Sequence, residues 1–358
     1  MERFKRLKRF NKSEIDRVIK KYLPPKASKK WLAFSFGKSS VSRATLRVVQ
    51  ECFLDPLWNF LERGGKRWRP LFFLLLTKAL GGDPEKVKDF AIFLELIHQG
   101  SLIVDDVEDN GRFRRSAPCL HRLYGVDLAI NAGNFLYFLP FLTLEKNKDR
   151  FPCSVLLRAY QLSIREMTNV HLGQGMDIYW HKGEKRKIEE KEYLRMASFK
   201  TGSLVRLAVR LACIFSGTKE STSKKLEKAA EKIGIAFQIQ DDILDITLRE
   251  RERKKFGKEF GNDIKEGKRT LIVLRTLKKA KPKERRQLLA ILDKRPNNKQ
   301  EIRKAIEIIR KYDGIEETKK TARHLLERGW KAMDRIITPS EAKEDLKQLV
   351  YYLGKREI

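Results

Sequence analysis

Apolar residues recur three and four positions apart along almost the whole chain, the spacing that places side chains on one face of an α-helix. Clear instances lie at 71–80, 90–97, 156–167 and 204–211. Alternation of apolar and polar residues between turn signals, which is typical of a β-strand, is scarce. The pattern therefore predicts an all-α protein with long helices and short loops.

Three segments, at 71–76, 129–144 and 204–215, are apolar around most of the helix circumference. Helices of this kind pack in the middle of a bundle, because none of their faces is suited to water. The C-terminal part of the chain instead combines many Lys, Arg and Glu residues with Leu and Ile at helical spacing, which predicts outer amphipathic helices. Since 358 residues can bury a substantial core, we predict a single large helical bundle.

Positive charge is concentrated near the N-terminus, where residues 1–30 contain 12 Lys or Arg and three acids. The whole chain has 78 Lys and Arg against 47 Asp and Glu, a net charge of +31. This excess suits nucleic acid, an anionic membrane surface or a phosphorylated small molecule as a partner. We recognise no nucleic-acid-binding module. We predict a basic N-terminal extension over residues 1–30 and one domain over residues 31–358.

The four cysteines are far apart and form no CxxC pair, which indicates neither a zinc site nor a disulfide framework. The N-terminal sequence is basic and amphipathic rather than a secretory signal, which predicts a cytoplasmic location. The longest uncharged run, residues 128–144, falls at the lower edge of membrane-spanning length. It contains Gly133 and Pro140, and a buried helix is the better interpretation.

Two copies of the motif DDxxD, Asp105–Asp109 and Asp241–Asp245, each follow apolar residues that predict a helix. In a helix the first and last aspartates of each copy lie one turn apart on one face, where like charges are destabilising. A bound cation would relieve this repulsion. Mg²⁺ prefers oxygen ligands and is commonly held by one or two carboxylates together with substrate phosphates. A single copy could equally be a solvated helix end, but the pair predicts magnesium bound with a diphosphate.

Basic residues flank both acidic motifs. The segment GGKRWRP at 64–70 places cations behind two glycines, and an arginine cluster follows the first motif closely enough to contact a diphosphate held there. Other lysines lie in KTG at 200–202 and after the second motif. Each cluster alone is unremarkable in so basic a chain. The cations concerned are Lys66, Arg69, Arg112, Arg114, Arg115, Lys200, Lys258 and Lys268.

Taken in order, these segments resemble the landmarks of the trans-isoprenyl diphosphate synthases, the polyprenyl synthetase family, from about Gly64 to Thr270. The segments are GGKRWRP, HQGSLIVDDVEDN, the paired arginines, GQGMDIYW, KTG, FQIQDDILD and GNDIKEGKRT. Within the family, DDVEDNGRFRR, AINAGNFLYF and GQGMDIYW look most like geranylgeranyl diphosphate synthases. One departure is Ser116, which stands where the family usually has glycine.

The resemblance implies a bundle of the isoprenoid synthase type with a central active-site cavity, several Mg²⁺ ions, and isopentenyl and allylic diphosphates as substrates. The metal-binding positions match Asp105, Asp106, Asp109, Asp241, Asp242 and Asp245. The isopentenyl diphosphate positions match Lys66, Arg69, His98 and Arg115, and the allylic diphosphate positions match Arg114, Lys200, Lys258 and Lys268. Thr201 and Gln238 match polar positions beside the reacting carbons, and the expected catalytic set is Lys200, Thr201, Gln238, Asp105 and Asp241.

The implied reaction is a head-to-tail condensation in which an allylic diphosphate ionises, the isopentenyl double bond attacks the cation, and a proton is lost. Gly100, five residues before the first motif, and Ser101 are small where short-product members often carry aromatics. They therefore predict room for a long product, with Tyr137, Phe138 and Phe141 as a deeper floor. We expect all-trans geranylgeranyl diphosphate as the product of this prenyltransferase.

Several alternatives remain open from the sequence. The product could be farnesyl diphosphate or a longer polyprenyl diphosphate, and the net charge of +31 would also suit a basic nucleic-acid-binding protein. A terpene cyclase is disfavoured, because cyclases generally have an Asn/Ser/Glu-type second metal motif where this chain has DDILD. The resemblance implies a homodimer and no nucleic-acid partner, and the basic extension suggests peripheral contact with an anionic membrane.

Overall fold

The structure, a computed structural model, describes the backbone of residues 2–37, 40–183, 188–247, 261–296 and 298–355, and side chains within 12–354. The chain divides into two compact units. The first comprises Met1–Ser163 with Leu211–Thr218, and the second comprises Ile164–Arg210 with Lys219–Ile358. Helices dominate both units, and within the described ranges the β-structure is limited to one two-stranded ladder. The predicted all-α fold is confirmed.

The first unit contains the N-terminal helices, and α11 begins in it. The helices are α1 (Glu2–Tyr22), α2 (Lys29–Phe36), α3 (Arg43–Val49), α4 (Asp55–Glu62), α5 (Trp68–Ala79), α6 (Pro84–Val87), α7 (Ala91–Glu108), α8 (Leu120–Tyr124), α9 (Val126–Phe138), α10 (Leu142–Lys146) and α11 (Cys153–His181). A π-turn (Gln50–Leu54) and two 3₁₀ turns (Lys88–Phe90 and Leu139–Phe141) connect some of them. Strands β1 (Phe113–Arg114) and β2 (Ala117–Pro118) follow α7 and pair antiparallel.

The second unit contains the rest of α11 and the C-terminal helices, and α13 ends in the first unit. These helices are α12 (Glu190–Ala197), α13 (Ser203–Phe215), α14 (Glu220–Thr247), α15 (Asn262–Lys265), α16 (Leu271–Lys279), α17 (Pro282–Lys294), α18 (Lys299–Lys311), α19 (Gly314–Asp334) and α20 (Glu341–Lys355). A second π-turn (Ser198–Gly202) joins α12 to α13. None of the helices in the described part of the chain combines the length and the apolar character needed to cross a membrane.

Each unit has its own apolar core. In the first, Phe215 stacks on Phe90 with ring centroids 4.3 Å apart and contacts Phe151 edge-on at 5.2 Å. In the second, isoleucines from several helices, among them Ile239 of α14 and Ile309 of α18, are fully buried together. Packing of this kind fixes the positions of α7 and α14, because buried apolar side chains tolerate little displacement. These two helices carry the acidic motifs.

The inner part of α1 is packed into the first unit. Ile19 and Tyr22 are buried, and the Tyr22 hydroxyl donates a hydrogen bond to Asp89 Oδ2 at 2.7 Å. Part of the segment that the sequence predicts as an extension, residues 1–30, therefore contributes to the core. The boundary between an extension and a domain over residues 31–358 stays a prediction.

Helix α9 leaves one apolar face uncovered, although residues 129–144 predict a helix in the middle of the bundle. Leu136 is fully buried, whereas Ile130 is 40% and Phe138 is 69% exposed. The apolar run is also broken by the 3₁₀ turn after α9. The prediction of a central helix over the whole run was wrong. The prediction that Phe138 belongs to the floor of the product cavity was also wrong, because its side chain is exposed.

Helices α7 and α9 approach each other closely at two glycines. A Cβ atom at Gly100 would lie 2.7 Å from the carbonyl oxygen of Gly133 and 3.1 Å from Leu136 Cβ. The space that the missing side chain leaves is therefore filled by α9. Ser101 instead donates its hydroxyl to the His98 carbonyl at 2.8 Å. The small size of Gly100 thus serves helix packing, which corrects the expectation that it makes room for product.

Gly100→Ala is expected to lower the free energy of unfolding by about 2 kcal/mol, because over-packing two helix backbones outweighs the gain in helix propensity. Denaturant titration followed by circular dichroism measures this change. Ser101→Ala is the control, with an expected change below about 0.5 kcal/mol. Equal stability of the two variants would contradict the packing role.

Candidate active site

The first acidic motif lies at the C-terminal end of α7. Asp105 and Asp106 belong to its last turn, and Asp109 caps it by donating its backbone N–H to the Asp105 carbonyl at 2.9 Å. The helix dipole places negative charge at this end, so three carboxylates here repel both the helix and one another. Burial raises the pKa of Asp106, with Arg114 opposing the rise, and Asp106 Oδ2 has no partner within the described structure. The arrangement calls for added positive charge.

Arg114 supplies part of that charge. Its Nε donates to Asp106 Oδ1 at 2.7 Å and its Nη2 donates to Asp105 Oδ2 at 3.2 Å. A guanidinium has five donors in a planar fork, and it can bind carboxylate and phosphate oxygens at once. Arg114, which the resemblance assigns to the allylic diphosphate, therefore lies where a diphosphate held by this motif would also lie.

The β1–β2 hairpin fixes the direction of the two neighbouring arginines. Its central residues, Arg115 and Ser116, have φ of 54° and 63°. Two-residue hairpin loops favour this geometry, and glycine adopts it most easily. The positive φ of Ser116 is one that glycine, the residue expected there from the resemblance, adopts most easily. In this chain a non-glycine residue holds the same conformation.

The segment at 64–70 lies beside Arg115. Gly64 and Gly65 have φ of 97° and 145°, and Arg115 Nη1 donates to the Gly64 carbonyl. Lys66 is exposed and Arg69 lies with its guanidinium 4.5 Å from the ring centroid of Trp68. The structure thus brings the segment predicted to bind the isopentenyl diphosphate next to Arg115, which comes from a different part of the chain.

His98 on α7 faces the same basic group. Burial lowers the pKa of His98 well below its usual value, and Arg69, Arg115 and Arg114 lower it further. The ring is therefore neutral near pH 7, where it can donate one N–H to a diphosphate oxygen without adding charge. Its predicted place in the isopentenyl diphosphate site is consistent with this environment.

The effect of His98 on stability should depend on pH. Because its folded-state pKa is depressed, the unfolded chain takes up more protons as the pH falls below about 6.5, and the native state loses stability. Relative to His98→Gln, the wild-type protein should lose about 1–2 kcal/mol between pH 7 and pH 5.5, since one pKa unit corresponds to about 1.4 kcal/mol. Denaturant titration at both pH values measures this difference, and parallel losses would show that the pKa of His98 is not depressed.

The second acidic motif lies on α14. Asp241 is partly exposed, whereas Asp242 and Asp245 are buried. Tyr193 donates its hydroxyl to Asp242 Oδ2 at 2.6 Å, and the backbone N–H of Asp263 donates to Asp245 Oδ2 at 3.0 Å. Burial raises the pKa of Asp242 well above its usual value, and the nearby carboxylates of Asp263 and Asp241 raise it further. A bound cation would offset the repulsion among these carboxylates.

Thr201 and Gln238, the two polar positions expected beside the reacting carbons, contact each other. The Thr201 hydroxyl donates to Gln238 Oε1, and Gln238 Nε2 donates to Asp242 Oδ1 at 2.8 Å. Thr201 and Gln238 are therefore hydrogen-bonded to the second motif through Asp242. The series of hydrogen bonds continues from Asp242 to Tyr193.

Two of the lysines expected at the allylic diphosphate lie around Asp177. Lys200 Nζ donates to Asp177 Oδ2 at 2.7 Å. Burial alone would raise the pKa of Asp177, but Lys200, with Lys268 beyond it, more than offsets this and holds the pKa below its usual value. Lys268 also pairs with Glu266. Lys258, the third predicted lysine, lies outside the described residues.

Three residues of these sites were missed at the sequence level. Asp177 lies within GQGMDIYW, a segment noted without any role for its acid. Glu95 is fully buried and accepts a hydrogen bond from Arg67 Nη1, of the Gly64–Arg69 segment, at 2.7 Å. It is a lone carboxylate within the apolar stretch before His98, and this contrast was a usable signal. Tyr193 gave none, because a tyrosine on an amphipathic helix is usually an ordinary core residue.

The donor chemistry of both motifs suits Mg²⁺, which takes carboxylate oxygens and keeps several waters. Across the described residues no group of three His, Cys, Asp or Glu side chains converges into a metal site of its own. An ion held by one or two carboxylates, with substrate phosphates as further ligands, fits this arrangement. The buried and unpartnered Asp106 Oδ2 is a ready ligand.

Comparison with known proteins identifies the family. The family model described as polyprenyl synthetase matches residues 50–309. The short chain isoprenyl diphosphate synthase of Methanothermobacter thermautotrophicus is 32% identical over 87% of this chain and 92% of that protein, and the geranylgeranyl diphosphate synthase of Sulfolobus acidocaldarius is 32% identical over 71% and 76%. The crystal structure of geranylgeranyl pyrophosphate synthetase from Pyrococcus horikoshii has a TM-score of 0.83, with 30% identity and 99% of both chains covered. The chain therefore belongs to the polyprenyl synthetase family and has its helical fold.

Proposed function

We propose that the protein is a Mg²⁺-dependent trans-prenyltransferase that condenses isopentenyl diphosphate with allylic diphosphates to give all-trans geranylgeranyl diphosphate. The observation that carries this proposal is that each acidic motif lies beside polar and basic side chains matching the family's substrate positions. Arg114 contacts the first motif, and the Thr201–Gln238 pair contacts the second. Relatives named geranylgeranyl diphosphate synthase support the product.

In this proposal the allylic diphosphate is the leaving group. Bound Mg²⁺ would supply Lewis-acid stabilisation of the negative charge that develops on it. The ions would be held by Asp105, Asp106, Asp109, Asp241, Asp242 and Asp245. Lys200 and Lys268 bind and orient the same diphosphate, and Asp177 keeps the Lys200 ammonium in place.

The isopentenyl diphosphate is gripped by a different set of side chains. Lys66, Arg69 and Arg115 supply positive charge, and His98 supplies a neutral donor. The polar side chains of Thr201 and Gln238 lie beside the reacting carbons of the substrates. The departing diphosphate accepts the proton that is lost.

One assay tests both the reaction and the product. The protein is incubated with labelled isopentenyl diphosphate and dimethylallyl, geranyl or farnesyl diphosphate, with Mg²⁺ or with EDTA. We expect turnover in the presence of Mg²⁺ but not in the presence of EDTA, and a C20 diphosphate as the main product. Absence of metal-dependent turnover would overturn the proposed function, while dominant C15 or C25 and longer products would overturn only the assigned chain length.

We further propose that the protein forms a homodimer. Ile130 and Phe138 on α9 are exposed, and so are Leu157 and Tyr160 on α11, at 52% and 47%. Large apolar side chains exposed on neighbouring parts of one unit favour an interaction site. Phe138→Asp is expected to convert a dimer into a monomer in size-exclusion chromatography with light scattering. Tyr352→Asp, on α20, is the control, and a monomeric wild-type protein would overturn the proposal.

Contact between the basic N-terminal segment and an anionic membrane also belongs to the proposal. Because Ile19 and Tyr22 pack in the core, a test should remove residues 1–11 rather than 1–30. We expect the shortened protein to co-sediment less with vesicles containing phosphatidylserine, and equal co-sedimentation would contradict the idea. The cytoplasmic location stays a prediction.

A further inference from the structure

Arg67 lies between Lys66 and Arg69, yet its side chain faces the interior. It is 5% exposed and has left-handed backbone dihedrals, φ 45° and ψ 34°. A non-glycine residue is held in this conformation only where its surroundings over-determine it. None of the predicted substrate roles involves Arg67, so its burial needs another explanation.

The Arg67 guanidinium is held by three acceptors from separate parts of the first unit. Nε donates to Asp16 Oδ1 of α1 at 3.1 Å, and Nη1 donates to Glu95 Oε1 of α7 at 2.7 Å. Nη2 donates to the Leu61 carbonyl at the end of α4, at 3.2 Å. A planar guanidinium that satisfies three acceptors at once has little freedom to move.

The hydrogen bonds continue from Glu95 to a residue of the substrate site. Gln99 Nε2 donates to Glu95 Oε1, and Arg115 Nη2 donates to Gln99 Oε1 at 3.0 Å. Arg115 also donates to the Gly64 carbonyl, which returns the connection to the segment that contains Arg67. We call the connected residues Asp16, Arg67, Glu95, Gln99 and Arg115 the Arg67 relay.

The backbone at Gly65 packs closely against the two arginine side chains of the relay. A Cβ atom at Gly65 would lie 3.2 Å from Arg67 Nη1 and 3.4 Å from Arg115 Nη2. Glu95 and Gln99 are fully buried. Within the relay Arg67, Glu95 and Gln99 are buried, and breaking a link among them leaves an unpaired buried polar group, which makes this part of the network rigid. The orientation of Arg115 therefore depends on Arg67.

Building on the proposed function, we propose that Asp16, Arg67, Glu95 and Gln99 are positioning residues for isopentenyl diphosphate. They hold Arg115 and the backbone of Gly64–Arg69 in the geometry that grips its diphosphate, without contacting the substrate. Through Asp16, the N-terminal helix is part of this site. Of the allylic diphosphate residues, Lys200 and Lys268 lie outside the relay, and Arg114 is held separately by Asp105 and Asp106. The relay should therefore act mainly on isopentenyl diphosphate.

Asp16→Ala and Glu95→Gln test the relay. We expect both to raise KM for isopentenyl diphosphate, by about fivefold for Asp16→Ala and about tenfold or more for Glu95→Gln, because charge-assisted contacts to a diphosphate depend steeply on geometry. KM for farnesyl diphosphate and kcat should stay within about twofold. Calorimetric titration of isopentenyl diphosphate into the protein, without an allylic substrate, should show the same loss of affinity.

Tyr22→Phe is the matched control, because it lies on the same helix and loosens a different anchor. It removes the hydrogen bond to Asp89 Oδ2 and leaves the Arg67 relay intact. We expect it to lower the midpoint of thermal unfolding as Asp16→Ala does, with unchanged affinity for isopentenyl diphosphate.

The inference is overturned if Asp16→Ala changes KM for both substrates equally, or if Tyr22→Phe weakens isopentenyl diphosphate binding by the same factor. Either result would mean that the relay contributes only to the stability of the fold and does not position the substrate site. A wild-type protein without turnover would overturn the proposed function instead, and the calorimetric comparison would still decide the inference.

Discussion

Asp105→Asn should reduce kcat/KM for condensation by about 10³-fold or more, because removing one metal-binding carboxylate weakens the stabilisation of charge on the leaving diphosphate. The same change should leave the free protein as stable as the wild type or slightly more stable. Asp105 lies at the negative end of the α7 dipole, one turn from Asp109, so losing its charge relieves repulsion and offsets the weakened ion pair with Arg114. Steady-state kinetics and thermal unfolding measure the two effects.

Opposite movements of activity and stability would separate a functional carboxylate from a structural one. Asp149→Asn serves as the control, because Asp149 is exposed and lies outside both acidic motifs. It should change neither quantity. If Asp105→Asn instead kept near wild-type activity, or lost stability together with activity, the metal-binding role of the first motif would be wrong.

Gly173→Ala should be the most destabilising single-methyl change on α11. A Cβ atom there would lie 2.7 Å from Lys200 Cα and 2.8 Å from the carbonyl carbon of Phe199. Backbone atoms cannot yield as a side-chain tip can, so we expect a loss of about 3 kcal/mol or more. The strain would also displace Lys200 from Asp177, and a fall in kcat of about 10²-fold should follow.

Gly175→Ala, two residues further along the same helix, is the matched control. A Cβ atom at Gly175 meets nothing within 4 Å, so alanine should be neutral or stabilising by up to about 1 kcal/mol through helix propensity. Denaturant titration and initial rates for both variants give the comparison. Similar behaviour of the two would mean that α11 does not pack against the π-turn at Gly173.

The helices could be predicted from the sequence because apolar spacing directly reports which side of a helix avoids water. Their neighbours could not. The run at 129–144 is apolar all round, and it was assigned to the middle of the bundle, yet Phe138 is exposed within this chain. Apolar periodicity shows that a helix face is buried away from water. It does not show whether the same chain or a second copy of the protein covers that face.

The site was predictable to the extent that its residues have charges out of place in apolar sequence. Asp105 and Asp241 follow apolar runs and could be identified, and the family resemblance supplied His98 and Gln238. Residues that act through others were not identifiable in this way. Arg67 in a basic segment has no distinguishing pattern, because its inward direction follows from a left-handed backbone that the sequence does not reveal.

The reason that Gly100 is small also depends on tertiary structure. From the sequence, a glycine before the acidic motif suggested an open channel, whereas the structure shows it against the backbone of α9. Both explanations require a small residue at the same position. Only the position of the neighbouring helix separates them.

The number of residues in the π-turn at Ser198–Gly202 determines how the active-site side chains that follow it are oriented. A π-turn closes over one more residue than an α-helical turn, and one residue corresponds to a rotation of about 100°. Deleting one residue there would let α12 and α13 merge into a regular helix, but the faces of α13 would turn away from their partners, among them Arg206 from Glu166. Among relatives, a one-residue gap in this turn should therefore be far rarer than a substitution.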